Sequence, residues 1–199
     1  MIDQNGKKIV PDNTDEDPIF VLKEIAFLQK GFEKGPHDQL AYLLTKRVHV
    51  YLQLRSGGAN RVKAAVELLR TYYPESKSTD FLWELVYVFR LLAKVEDGLF
   101  GSKQEVTEHL LNSARCFDRI IEVSPTIHNR CCLVIEYSFA VMHYGRQRGA
   151  RREKLLELIG HMRDVFYDMP AYEQIPESYK NVYVMAKSAL EKVETIWMS

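Results

Sequence analysis

The sequence predicts an all-α fold, a bundle of seven to eight helices. Three observations carry that expectation. Apolar residues recur at three- and four-residue spacing through nearly all of the chain after position 16. The breaks between these runs are helix-stopping: Gly35-Pro36, Ser56-Gly57-Gly58, Pro74, Ser124-Pro125 and Pro170. No segment alternates apolar and polar residues between hairpin turns, as strands require.

Residues 1–16 are polar, carry Gly, Pro and Asn, and read as a disordered lead-in; residues 17–199 read as one helical interaction domain. Asp17 caps the first helix and Pro18 takes its first position. Its expected core stripe is Ile19, Leu22, Ile25, Ala26, Leu28 and Phe32. The second helix, about His37 to Arg55, sets Leu40, Leu43, Leu44, Val48, Tyr51 and Leu52 along one stripe. The third, about Asn60 to Tyr73, presents Val62, Ala65, Val66, Leu69 and Tyr72 and ends at Pro74.

Thr79–Gly98 is the stretch around which the others are expected to pack. Between Phe81 and Ala93 only Glu84 and Arg90 are charged, so this helix is apolar on nearly its whole circumference and must be covered. It is too short and too interrupted by charge to span a bilayer. Ser102 and Glu105 have capping-box spacing for the fifth helix, whose stripe is Val106, Leu110, Ala114, Phe117, Ile120 and Ile121. Ser124-Pro125 closes it and caps the sixth, which has one charge, Glu136, in an apolar middle and is expected beside the central helix. The seventh runs from about Arg151 to Tyr167 with Leu155, Leu156, Ile159, Met162, Val165 and Phe166. Pro176 starts the last, with Tyr179, Val182, Met185, Ala186, Leu190 and Val193.

Composition excludes several functions. Lys+Arg and Asp+Glu both number 27, so no global field draws the chain to nucleic acid or an acidic membrane. Three cysteines, two of them adjacent, argue against a disulfide framework and for a reducing compartment. With no apolar leader, cytosol or nucleus is expected. Adjacent Cys131 and Cys132 lack the spacing that brings two thiolates to one zinc, so packing is favoured over a metal site with Cys116, His128 and His143. There is no glycine-rich phosphate loop, no HExxH and no signature of a Cys–His nucleophile. The expectation is a non-enzymatic protein without cofactor or metal.

Two features remain open on chemistry alone. Arg146, Arg148, Arg151, Arg152 and Lys154 form either a patch for phosphate or an acidic partner, or a solvated loop that complements the dipole of the sixth helix; the second is favoured. Leu99 and Phe100, between Gly98 and Gly101, are either a core plug or the wall of a partner pocket.

Leu92–Gly98, Leu-Ala-Lys-Val-Glu-Asp-Gly, resembles the end of the third helix in the telomere repeat-binding factor homology domain, where the family has Leu-Ser-Arg-Ile-Glu-Glu-Gly or a close variant. Leu111–Ala114, Leu-Asn-Ser-Ala, is similar to its Leu-Glu-Ser-Ala, and Met185–Leu190 to its final-helix Met-Ala-Lys-Lys-Ala-Leu. The likeness departs from the family at Gly35-Pro36, in the shorter loop after Gly98 and in the connection before the last helix. It implies a nuclear, telomere-associated homodimer that docks short peptides of the Phe/Tyr-x-Leu-x-Pro type.

By the same likeness, Leu40, Leu44, Tyr51, Val182, Met185 and Leu190 belong to the dimer interface, and Lys94, Glu96, Leu99 and Phe100 to the docking site. Lys94 stands where the family has an arginine and loses its bidentate geometry. The family's DNA contact lies in a separate module, so direct nucleic-acid contact is not expected. Two alternatives stand beside this. One is a tetratricopeptide-like scaffold, although Pro74, Pro125 and Pro170 are not spaced at about 34 residues. The other is a helical nucleic-acid-binding protein using the Arg146–Lys154 loop.

Overall fold

The computed structural model describes residues 16–54, 59–98 and 103–198, and within them eight α-helices and no strand. They are α1 (Pro18–Lys34), α2 (Asp38–Gln53), α3 (Lys63–Tyr72), α4 (Thr79–Gly98), α5 (Lys103–Val123), α6 (Ile127–Tyr144), α7 (Arg152–Tyr167) and α8 (Glu177–Trp197). Ser102, the expected cap of α5, lies outside the described residues.

Local chemistry sets the ends of these helices. The Asp17 carboxylate accepts from the Ile19 N–H at 2.9 Å, and Pro18 opens α1. His37 Nδ1 accepts from the Leu40 N–H and starts α2. Thr126, rather than Ser124-Pro125, caps α6: its hydroxyl accepts from the Asn129 N–H at 3.1 Å. Ser124 contributes its carbonyl, which accepts from the Asn129 side chain at 2.8 Å. Asp38 ties the start of α2 to the α3–α4 connection, accepting from the Tyr72 hydroxyl, the Ser76 hydroxyl and the Lys77 N–H.

The main packing runs through α2, α4, α5, α6 and α8, with α1, α3 and α7 set against this series. α1 lies on α2 and α3, α2 on α4, α4 on α5, α5 on α6, and α6 on both α7 and α8. α4 is the hub of the first half, with Phe81, Leu82, Leu85, Val86, Val88 and Phe89 all fully buried. Each such side chain contributes about 1.5–3 kcal/mol by leaving water. Its main neighbour towards the C-terminus is α5, not α6. The link from α4 to α6 is a buried ion pair: the Glu136 carboxylate is 1 % exposed, is bridged by Arg90 of α4, and accepts from the Ser113 hydroxyl of α5 at 2.9 Å.

Several stripe residues face outward instead of inward. Ile19 and Ala26 leave the core of α1, which is made by Val21, Ile25 and Phe32. Leu43, Leu156 and Met185 are likewise exposed. Conversely, Leu44, Tyr51 and Leu190 are buried within the single chain, at 0 %, 1 % and 2 % exposure. They pack the core and are not available to a second copy.

Candidate docking groove

α1 carries two apolar stripes. At about 100° per residue, Val21, Ile25 and Phe32 point one way, while Phe20 and Phe27 fall roughly a third of a turn aside. The second stripe stays in solvent: Phe27 is 76 % exposed and Phe20 57 %. On α2, Leu43 and Val50 lie opposite the buried Ala41, Thr45, Val48 and Leu52. Gly35, Pro36 and His37 join the two helices tightly, and Phe27 of α1 with Leu43 and Val50 of α2 lines an open groove of about 670 Å³ between them; Phe20 lies outside it.

The groove is apolar at its floor and charged at its rim. Phe27, Leu28, Leu43 and Val50 provide the apolar surface; Glu16, Lys23, Glu24, Lys46 and Arg47 complete the lining. Arg47 is neutralised twice, by Glu16 at 3.1 Å and by Glu24 at 3.2 Å, and these bridges register α2 against α1. Lys46 sits over the Tyr42 ring, 5.1 Å from its centroid, and its hydrogen bond with Tyr42 raises its pKa above the ordinary lysine value. Lys23 forms no ion pair with a described residue. The floor is thus apolar, and Lys23 and Lys46 stand on its two banks without a carboxylate partner among the described residues.

The other polar clusters are internal braces. Tyr137 donates to Asp118 at 2.5 Å, and His161 pairs with the second oxygen of that carboxylate at 2.7 Å. The hydrogen bond to Asp118 raises the His161 pKa against the opposing effect of burial. His49 pairs with Glu84 and stacks on Tyr87. His109, by contrast, is held below the usual histidine value by burial.

The cysteines are all free thiols. Cys132 lies 3.6 Å from His128, but burial raises its thiol to about 11 and that of Cys131 to about 12. A nucleophile needs the opposite shift. No three His, Cys, Asp or Glu side chains converge for a metal ion among the described residues, and no described helix is long and apolar enough to cross a membrane.

The residues assigned by resemblance are dispersed. Lys94 is exposed near the end of α4; the Glu96 side chain, Leu99 and Phe100 lie outside the described residues. Leu40 and Val182 are partly covered by the core, whereas Met185 is 60 % exposed on α8. α8 packs on α6 and α7, at the opposite end of the helix succession from α1.

Arg146, Arg148, Arg151 and Arg152 are all exposed, and none pairs with a described carboxylate. Lys154 is paired with Glu157 at 2.6 Å. Only Arg146 and Arg148 follow α6, where cations complement the dipole; Arg151 and Arg152 open α7, where they oppose it. Dipole complementarity thus accounts for two of the four arginines.

The exposed Phe20, Phe27 and Leu43 were not among the expected site residues. The signal available in the sequence was the seven-residue interval from Phe20 to Phe27, off the main stripe of α1. These features define an all-helical protein with an exposed interhelical groove. No protein-family model matches the chain, and neither a curated protein nor a solved structure matches it significantly.

Proposed function

We propose that this chain is a non-enzymatic protein-docking domain that receives a partner segment in the groove between α1 and α2. The observation that carries this is Phe27, a large aromatic almost wholly in water at the edge of an apolar groove. A soluble domain seldom leaves such a side chain beside Leu28, Leu43 and Val50 without a surface to cover it. The nuclear, telomere-associated setting implied by the resemblance belongs to this proposal as its cellular frame, and imaging of a tagged chain tests it.

The test is selection of displayed helical peptides on the wild-type protein, followed by titration of the winners against Phe27→Asp. Circular dichroism first establishes that the variant is folded. Docking in the groove predicts that the winners lose affinity for Phe27→Asp. Equal affinity for both proteins contradicts it.

A second reading, self-association, is favoured by α8. Val182, Met185, Ala189 and Ile196 follow one helical stripe, and Met185 and Ile196 are exposed. Light scattering of wild type and Met185→Glu tests it: a dimer that the substitution dissociates supports this face, and a wild-type monomer removes it.

A further inference from the structure

We propose that the occupant of the α1/α2 groove is an acidic amphipathic helix of a different protein, one that places apolar residues seven apart with carboxylates on the turn between them. This rests on the docking reading above and adds the chemistry of the partner.

The spacing of the lining residues carries the first part. Leu43, Lys46 and Val50 follow i, i+3, i+7 along α2, and Phe27 and Lys23 of α1 line the facing bank. The hairpin runs antiparallel, and Arg47 reaches both Glu16 and Glu24, which sets it level with the middle of that span. Along the groove the lining runs apolar at Phe27 and Leu43, cationic at Lys23 and Lys46, and apolar again at Val50, a ladder of three rungs. Seven residues of helix rise about 10.5 Å, so a third helix laid along the hairpin meets both apolar rungs with side chains at i and i+7. Its intervening turn falls on the cationic rung.

The charges carry the second part. Of the three cations lining the groove, Arg47 is already held by two carboxylates, while Lys23 and Lys46, the latter against the Tyr42 ring, meet none among the described residues. A second copy offering the same hairpin about a twofold axis through that rung would set lysines against lysines. Like charges at the centre of an interface oppose such pairing. Carboxylates on the occupant satisfy both ammonium groups and leave the apolar rungs buried on both sides.

Two fluorescein-labelled synthetic peptides serve as probes. They share length and leucines at i and i+7, and carry either Glu or Lys at i+3 and i+4. Anisotropy titrations use wild-type protein, the double variant Lys23→Glu/Lys46→Glu, and Phe27→Asp.

The expected result is that wild type binds the Glu peptide at least about tenfold more tightly than the Lys peptide. The double variant should reverse the order, and Phe27→Asp should lose both. Equal binding of the two peptides to wild type, an unchanged order on the double variant, or no binding of either peptide overturns the acidic helix. Docking itself then remains to be judged by the displayed-peptide selection. Retained binding on Phe27→Asp overturns the groove as the site. A wild-type dimer that Phe27→Asp dissociates gives the groove to a second copy and overturns a foreign occupant.

Discussion

Removing either partner of the Arg90–Glu136 pair should destabilise the fold, and by unequal amounts. The Glu136 side chain is 2 % exposed, whereas that of Arg90 is 43 % exposed at the other end of the bridge. In Arg90→Leu the carboxylate stays buried with the Ser113 hydroxyl as its remaining donor. An uncompensated buried charge costs about 3–5 kcal/mol. In Glu136→Leu the guanidinium can turn to water, and the cost falls to about 1–3 kcal/mol, that of an unsatisfied polar group.

The Arg90→Leu penalty should also depend on pH. Without its cation, the ionised Glu136 carboxylate is a buried uncompensated charge, and protonation relieves it. Stability relative to wild type is then best at low pH and declines as pH rises and the carboxyl ionises. The double variant Arg90→Leu/Glu136→Leu should approach wild type, since an apolar pair of similar volume often replaces a buried ion pair without loss. Urea titrations at pH 5 and pH 8, followed by far-ultraviolet circular dichroism, read all three variants. Equal costs for the two single variants, or an Arg90→Leu penalty independent of pH, would refute the reasoning.

Gly145→Ala should destabilise the C-terminal end, because a Cβ there would intrude on the Trp197 ring. The expected cost is about 1–3 kcal/mol, read by thermal melting and by a shift in tryptophan emission. His161 should titrate above ordinary histidine, since its hydrogen bond with Asp118 favours the protonated ring. The stability it adds is therefore fully present below the unfolded pKa of about 6.5 and is lost as pH rises through the folded value. Melting of wild type against His161→Gln should show a gap at pH 5.5 that narrows by pH 8.5, with the folded pKa read by NMR. Arg152→Glu should stabilise α7 by about 0.3–1 kcal/mol, because it puts an anion on the helix N-terminus; a lower melting temperature would contradict this.

The bounds of α4 were legible because Thr79 follows a polar connection and Gly98 ends a run that is apolar all round. Asp17-Pro18 was legible for the same kind of reason: capping is decided within a few residues, and no distant contact overrides it. Side-chain direction was harder to read. Leu43 and Leu44 are adjacent and equally apolar, yet one is exposed and the other buried, and the tertiary neighbours of α2 decide which. The same holds for Met185 and Leu190, so the residues assigned to a dimer face divide between surface and core.

Glu136 stood out as the one charge in an apolar run. Its partner Arg90 lies 46 residues away, on a helix whose angle to α6 no local pattern encodes. The groove was missed because Leu22, Ile25, Leu28 and Phe32, read at helical spacing, already look like a sufficient core stripe for α1. A second stripe at Phe20 and Phe27 then looks like more of the same unless the two are separated by angle.

The most direct test of the docking claim is methyl and amide NMR of the whole chain during titration with a peptide selected on the wild-type protein. Docking between α1 and α2 predicts that perturbed signals cluster at Phe27, Leu28, Leu43, Lys46 and Val50. Perturbations centred instead on Lys94 at the end of α4, on Met185 of α8, or on Arg146 to Arg152 would contradict it.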